Sequence, residues 1–152
     1  MANLFNQDFK DFIECLNINE VKYLLVGGYA VILHGYIRST ADMDIWVDKS
    51  QINYQKLIKA LVDFGAPAIP KEEFFGSEFD VWGLGREPNR IEIMSDVKGL
   101  KFDFAFHKSK IYKHENMDIR IIDFEDLMTA KKASGRFKDK NDIEQLSKKK
   151  KQ

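Results

Sequence analysis

Apolar residues recur along the chain with two spacings, and these spacings divide the first third into helices and strands. Five apolar side chains near the start repeat at intervals of three and four residues, which predicts an amphipathic helix over residues 4–17: Phe5, Phe9, Phe12, Ile13 and Leu16. The apolar run VKYLLV ends at two glycines and predicts a central strand over residues 21–26. The stretch YAVILHG then predicts a short helix that Gly35 ends.

Charged and apolar residues alternate at the start of residues 42–47, DMDIWV, which predicts a strand. Successive side chains of a strand point to opposite faces, so Asp42 and Asp44 should share one face and Met43 and Ile45 the other. After this strand, Ser50 can cap a helix over residues 51–64. Its apolar residues are expected to point inward: Ile52, Leu57, Ile58, Leu61 and Val62.

The second half of the chain continues the alternation of strands and helices. SEFDVWGLG and RIEIMS flank REPN and predict a hairpin, while KFDFAF and MDIRII predict two further strands. Asp123 should open a helix over residues 124–134, and GRFKDKNDIEQL should lead into a last helix. Strands interleaved with helices, together with a hairpin, predict an α/β or α+β fold with a mixed sheet flanked by helices.

The length and charge of the chain limit the classes of protein to which it can belong. A chain of 152 residues suits one domain, which we expect over residues 1–147, followed by a disordered lysine-rich tail over residues 148–152. Without the four lysines of that tail, 20 basic residues face 24 acidic ones, and a net-acidic body argues against general nucleic-acid coating. The single cysteine excludes a disulfide framework, and no apolar run could span a bilayer, so we expect a cytoplasmic protein without a membrane partner.

The proximity of Asp42 and Asp44 needs an explanation, because two neighbouring carboxylates repel each other. Either their face of the strand is open to water, or a cation belongs there. Such a pair suits carboxylates that bracket two divalent cations about 3.5–4 Å apart. Oxygen ligands favour Mg²⁺ or Mn²⁺ over zinc, and magnesium prefers few carboxylates plus substrate phosphates, which indicates a nucleotide substrate.

The glycine pair Gly27 and Gly28 lies between the first strand and the short helix. Glycine lets a ligand approach the backbone closely, so a polyphosphate could lie there, beside the aspartates. The sequence matches neither a P-loop nor a dinucleotide-binding fingerprint.

Gly27-Gly28, nine residues, and then Arg38-Ser39-Thr40-Ala41-Asp42-Met43-Asp44 resemble the signature of the nucleotidyltransferase superfamily. The whole stretch GGYAVILHGYIRSTADMDIWVD is similar to the small bacterial branch that contains AbiEii-type toxins, and DFEDLMTAKKASGRFKDKNDIEQL resembles the C-terminal pattern of that branch.

The resemblance implies a polymerase-β-like fold and transfer of a nucleoside monophosphate from an NTP to an acceptor. It implies that Gly27 and Gly28 line the triphosphate, with Arg38 and Thr40 in the same motif. Asp42 and Asp44 would bind Mg²⁺ or Mn²⁺.

The family also uses a third carboxylate on a neighbouring strand, and three residues compete for that role. Asp80, Glu92 and Asp103 are each flanked by apolar residues, so alternation does not choose between them. The resemblance favours Glu92 as a catalytic and metal-binding residue, because related sequences place an acid after Arg-Ile. That acid is usually aspartate, and the longer glutamate changes the reach of the oxygens.

Three residues near the C-terminus fall in the same family pattern. Lys131 could reach a triphosphate as a point charge, or it could lie on a solvated helix face beside Lys132. Arg136 and Asp139 could take part in catalysis or form a local ion pair between helices.

Two classes of function follow. The first is an active nucleotidyltransferase that modifies tRNA, a protein or a small molecule, in a toxin–antitoxin system with a cognate partner or outside one. The second is a weakly active or inactive relative that uses the fold for binding, as an antitoxin or subunit.

Overall fold

A computed structural model describes residues 4–76 and 80–150, and these residues form seven helices and six strands. The helices are α1 Gln7–Ile18, α2 Gly27–Leu33, α3 Gln51–Phe64, α4 Lys71–Gly76, α5 Phe102–Lys108, α6 Phe124–Ser134 and α7 Phe137–Lys150. The strands are β1 Tyr23–Val26, β2 Met43–Val47, β3 Val81–Leu84, β4 Ile91–Met94, β5 Lys110–His114 and β6 Met117–Ile121.

The six strands form one mixed sheet in the order β3-β4-β2-β1-β6-β5. The central pair β1 and β2 is antiparallel, β2 pairs with β4 in parallel, and β1 pairs with β6 in parallel. The two outer pairs, β3 with β4 and β5 with β6, are antiparallel. The expected mixed sheet with flanking helices is therefore confirmed, and so is the hairpin of β3 and β4, apart from residues 77–79, which lie outside the described part.

Two apolar cores cover the two faces of the sheet, and β2 contributes to both. Met43, Ile45 and Val47 face the core that contains α1 and α3. Trp46 faces the other core, which contains α6 and α7. Because alternate residues share a face, Asp44 lies on the same side as Trp46 and the two C-terminal helices.

Helix α3 begins and ends as expected, and Leu57 and Leu61 are buried as expected, but two other predicted inward positions are not. The Ser50 side chain accepts a hydrogen bond from the Asn53 amide, and Gly65 ends the helix in the left-handed region. Ile52 and Val62, which we expected inside, are 71% and 63% exposed. Asn53 takes the inward position because its amide exchanges hydrogen bonds with the backbone of Lys22.

The expected strand KFDFAF is wrong, since residues Phe102–Lys108 form helix α5. Its Phe-x-Phe-x-Phe spacing also satisfies a helix, in which Phe102 and Phe106 stack with ring centroids 5.4 Å apart. Phe104 points outward and is 69% exposed. The strand directly after this helix is β5, which pairs with β6.

The lysines at the C-terminus are also placed differently from the expectation of a disordered tail. Lys148, Lys149 and Lys150 belong to the last turn of α7. Lys148 pairs with Glu144 one turn earlier, and the Lys150 ammonium lies 4.8 Å from the centre of the Phe124 ring. Lys151 and Gln152 lie outside the described residues. Among the described residues, no helix combines the length and apolarity needed to cross a bilayer.

Candidate active site

The two parts of the glycine–aspartate motif meet where β1 ends and β2 begins. Val26 and Asp44 are register partners in the antiparallel pair of β1 and β2, so the chain after Val26 runs beside Asp44. Gly27 has φ +66°, and a β-carbon there would overlap the Asp44 carboxylate. A glycine is therefore required at this position for both its conformation and its size.

Gly28 makes a second close approach to the same motif. A β-carbon at Gly28 would overlap the Thr40 hydroxyl and lie 3.4 Å from Nη1 of Arg38. The two glycines thus fit directly against the segment that carries Arg38, Thr40 and Asp44. This fit gives a steric reason for the order and the residue types of the motif.

The structure brings Glu92 to Asp44 and leaves the other two carboxylate candidates elsewhere. Asp44 and Glu92 are register partners in the parallel pair of β2 and β4. Asp103 lies in the first turn of α5, and Asp80 lies exposed before β3. Glu92 is therefore the candidate that shares the sheet face of Asp44.

The pKa of Asp44 reflects the crowding of carboxylates around it. Burial, the charge of Glu92, a hydrogen bond with Glu92 and the charge of Asp42 together raise the pKa of Asp44 to about 7. The charge of Lys131 acts in the opposite direction. Each of the causes that raise this pKa favours the neutral carboxyl group of Asp44 over its charged form.

Asp42 shows the same effect more weakly. Burial and then the charges of Glu92 and Glu87 raise its pKa, while Arg90 and Lys138 lower it. One carboxylate oxygen of Asp42 and one of Asp44 are buried without a hydrogen-bond partner. A buried oxygen that accepts no hydrogen bond is destabilising, and a bound cation would satisfy both oxygens.

Glu92 is engaged by a cation of the chain itself. Its Oε1 lies 3.2 Å from Nε of Arg90, and the Arg90 guanidinium lies across Gly83, where a β-carbon would overlap it. Within residues 4–76 and 80–150, no three His, Cys, Asp or Glu side chains are already arranged to hold a metal ion. The carboxylates nevertheless fit a divalent cation by chemistry, because their oxygens are crowded, partly buried and short of donors.

A second charged cluster, in which acids and bases are paired, adjoins the carboxylates. The Lys131 ammonium lies 3.1 Å from Asp139 and 3.0 Å from Asp142, and all three side chains are buried. The Arg38 guanidinium binds both oxygens of Asp142, at 2.8 and 3.0 Å. This cluster joins the Arg38 segment to α6 and α7.

Arg136 completes this paired cluster at the start of α7. Its backbone N–H and its guanidinium both donate to Asp139, the latter at 2.8 Å, so the expected local ion pair is present. Burial opposes ionisation of Asp139, but hydrogen bonds from Arg136, Ser134 and Lys131 outweigh it and hold the pKa of Asp139 below its usual range.

Lys131 does not lie on a solvated helix face, because its side chain is only 5% exposed. Sequence reasoning missed Asp142 and Arg90, which hold Arg38 and Glu92. The spacing Asp139–Asp142 of one helical turn was the available signal for the first, and the alternation Arg90–Glu92 on β4 for the second.

A family model described as nucleotidyltransferases of unknown function, DUF6036, matches residues 7–149. The chain belongs to this nucleotidyltransferase family. The matched residues include both charged clusters and every strand of the sheet.

Two solved structures share the fold. TM1012 from Thermotoga maritima, provisionally described as a nucleotidyltransferase, is 15% identical, with a TM-score of 0.58 over 92% of this chain and 90% of its own. The lincosamide antibiotic adenylyltransferase LnuA, solved with lincomycin bound, is 18% identical, with a TM-score of 0.58 over 95% of this chain and 98% of its own. At these identities the likeness concerns the fold. No curated protein matches the chain.

Proposed function

We propose that this nucleotidyltransferase moves a nucleoside monophosphate from an NTP to a hydroxyl group of an acceptor, with release of pyrophosphate, at Asp42, Asp44 and Glu92. The observation that carries the proposal is that Asp44 lies against Gly27 and is the register partner of Glu92, while one buried oxygen of Asp42 and one of Asp44 lack hydrogen-bond donors. Such a cluster has no structural benefit, because its charges repel one another.

Asp42, Asp44 and Glu92 are the residues that would hold Mg²⁺ or Mn²⁺. A divalent ion bound there would favour ionisation of the attacking hydroxyl and stabilise the charge of the leaving pyrophosphate. The pairing of β2 with β4 holds Asp44 and Glu92 close together before a metal ion binds. Arg90 neutralises part of their charge through Glu92.

We propose that Gly27 and Gly28 line the triphosphate, since they bring the backbone directly against Asp44 and against Thr40 and Arg38. Arg38 and Thr40 lie against Gly28 and face the same space. The Arg38 guanidinium is fixed by Asp142, which preorganises it for phosphate. Lys131 is held between Asp139 and Asp142, so we propose that it acts on the nucleotide through its charge and by positioning α7.

Different observations support two classes of acceptor for the nucleoside monophosphate. The motif from Gly27 to Asp44 and the C-terminal pattern support a place in the AbiEii-type branch, with tRNA or a protein as acceptor and a cognate toxin or antitoxin as partner. The fold shared with LnuA supports a small-molecule acceptor instead. The net-acidic body favours a small molecule or a protein over RNA.

Label transfer tests the proposal. The protein would be incubated with each α-³²P-labelled NTP and Mg²⁺, with total tRNA, with cell lysate or with neither, beside Asp44→Ala. Label on one fraction that requires Asp44 would establish the transfer and identify both nucleotide and acceptor class. If NTP binds but no fraction is labelled, the weakly active or binding role replaces the proposal.

A further inference from the structure

The two outer strands of the sheet, β3 and β5, differ in how their edges are protected. A strand at the edge of a sheet exposes N–H and C=O groups that can pair with another strand, and charged side chains, lysine above all, discourage such pairing. Strand β5 carries Lys110 and Lys113, both exposed. Strand β3 has the sequence VWGL without a charge, and Val81 at its start is 48% exposed. Within residues 4–76 and 80–150, β3 pairs with β4 alone.

The backbone of β3 directs the hydrogen-bonding groups of Val81 and Gly83 away from β4. The Arg90 carbonyl accepts from the Met43 amide of β2, so every second residue of β4, counted from Arg90, directs its backbone groups toward β2. Glu92 is one of these residues, and Gly83 is its register partner. A residue opposite such a partner makes no ladder hydrogen bond, so the N–H and C=O of Gly83 point to the outer edge. The same holds for Val81, two residues earlier.

An apolar groove of about 610 Å³ runs along this edge, between β3 and the segment that follows α3. That segment, residues 64–70, presents small apolar side chains such as Pro67 and Ala68 to solvent. Among the described lining residues, Glu73 is the only one with a charged side chain. The groove therefore suits the apolar side chains of another strand better than it suits a charged ligand.

The hairpin that carries this edge is held in place before any partner binds. The centre of the Trp82 ring lies 5.5 Å from the centre of the Phe74 ring, and Phe74 is fully buried. At the turn, the Asn6 side-chain amide donates to the Pro88 carbonyl at 3.2 Å and to the Asn89 side chain at 2.9 Å. Little backbone freedom would therefore be lost when a further strand pairs with β3.

Charged residues on both sides of β3 favour a second copy of this chain as the partner. Exposed Asp80 precedes the strand and exposed Arg86 follows it, each three residues from Gly83. When two copies of β3 pair antiparallel about Gly83, Asp80 of each copy faces Arg86 of the other, and the same register sets outward-pointing residues opposite one another. We propose that the protein forms a symmetric dimer through antiparallel pairing of β3 with β3 of a second copy.

This pairing would continue the sheet next to the candidate active site. Gly83, Glu92 and Asp44 share one face of the sheet, because they are register partners across β3, β4 and β2. The second copy's β3 would be the next strand after Gly83, about 4.8 Å farther from the carboxylates. The dimer would thus extend the sheet face that carries Asp44 and Glu92. Dimerisation does not require the proposed function, because the β3 contact involves none of the three carboxylates.

Sedimentation equilibrium at increasing protein concentration, up to about 1 mM, measures the dissociation constant of the dimer. Wild type should form dimers in this range. Val81→Pro should weaken the dimer on the order of a hundredfold, since it removes one outward N–H from each copy and leaves the ladder with β4 intact. Circular dichroism checks that this variant stays folded.

Charge reversal tests the antiparallel register and leaves the strand itself unchanged. Arg86→Asp should weaken the dimer about tenfold, because each Asp80 then faces an acid, and Asp80→Arg should weaken it similarly. The double variant should restore the wild-type dissociation constant within about twofold. Lys110→Glu, on the edge strand β5, is the control and should leave the dissociation constant unchanged.

A wild type that stays monomeric throughout this range would overturn the proposal and leave the β3 edge to a strand of a different protein. A dimer that neither Val81→Pro nor charge reversal weakens would also overturn it, because the contact would then lie elsewhere. Weakening by each single reversal without restoration in the double variant would exclude antiparallel pairing of β3 with itself.

Discussion

Two groups of charged side chains adjoin at one end of the sheet, and they are built in opposite ways. The carboxylate cluster sets Asp42, Asp44 and Glu92 against one cation, Arg90, and leaves two buried oxygens without donors. The paired cluster sets Arg38, Lys131 and Arg136 against two carboxylates, with short contacts throughout. The first has excess negative charge and the second excess positive charge.

Under the proposed function, the difference separates the acids that would bind a metal ion from the acids that hold the fold together. Asp139 and Asp142 are aspartates like Asp42 and Asp44, but they form ion pairs with Lys131, Arg136 and Arg38. These pairs join α6 and α7 to the Arg38 segment. A satisfied buried ion pair keeps its geometry, whereas unsatisfied carboxylates can exchange their protons for metal ions. Substitutions in the two clusters should therefore have opposite effects on stability.

The largest effect is expected from Asp44→Ala and Asp42→Ala. Each should reduce nucleotide transfer by roughly a thousandfold or more, since a lost metal ligand removes several kcal/mol of transition-state stabilisation. Each should leave the free energy of unfolding unchanged or slightly higher, because one repulsive partner is removed. Label transfer and urea unfolding measure the two outcomes, and unfolding of both variants would show that the pair is structural.

In the paired cluster, Asp139→Ala should destabilise the protein by about 3–5 kcal/mol, because Lys131 loses a partner while it stays buried. Urea unfolding measures this change. Asp118→Ala is the control, since it removes only an exposed pair with Lys113 and should change stability by about 0.5 kcal/mol or less. Similar small losses in both variants would contradict the contrast between the clusters.

The third carboxylate is tested by Glu92→Gln, which keeps the size and removes the charge. We expect transfer to fall about a hundredfold, since one of three ligands becomes a weaker one. Asp103→Asn in α5 should change transfer by about twofold at most, within the small effects typical of surface positions. The reverse result would assign the third ligand to α5.

Stability should depend on pH through Asp44. Its pKa is raised to about 7 in the folded protein and lies near 3.8 without that environment, so the folded state binds more protons between these values. The free energy of unfolding should then fall as the pH rises from about 4 to 7 and level off above. Thermal unfolding of wild type and Asp44→Asn across this range should show a steeper fall for wild type, and added Mg²⁺ should reduce the difference.

The smallest effect concerns Arg90. Arg90→Ala should increase the affinity for Mn²⁺ by about two- to fivefold, because the partly exposed pair with Glu92 is worth about 1 kcal/mol or less. Titration calorimetry with Mn²⁺ alone measures it, and Lys113→Ala is the control. A decrease in affinity would mean that Arg90 supports the ligands and does not compete with the metal.

Sequence reasoning reached the fold and the residue types of the candidate site because local patterns encode them. The alternation over residues 42–47 predicted that Asp42 and Asp44 share a face, and the resemblance of the motif implied that they form one site with Gly27 and Gly28. The helix α5 was missed because Phe-x-Phe-x-Phe fits a strand as well as a helix. The partners of Arg38 and Glu92 were missed because ion pairs between distant segments, such as Arg38 with Asp142, leave no local period.

The parallel pairing of β2 with β4 also bears on how such a chain can diversify. Asp44 and Glu92 are neighbours across one strand spacing, yet α3, α4 and β3 intervene along the chain. Connections of this kind can lengthen or change sequence without moving the register that sets the two carboxylates together. Under the proposed function, exposed positions of this segment can change to recognise new acceptors while the register that joins Asp44 to Glu92 stays constant.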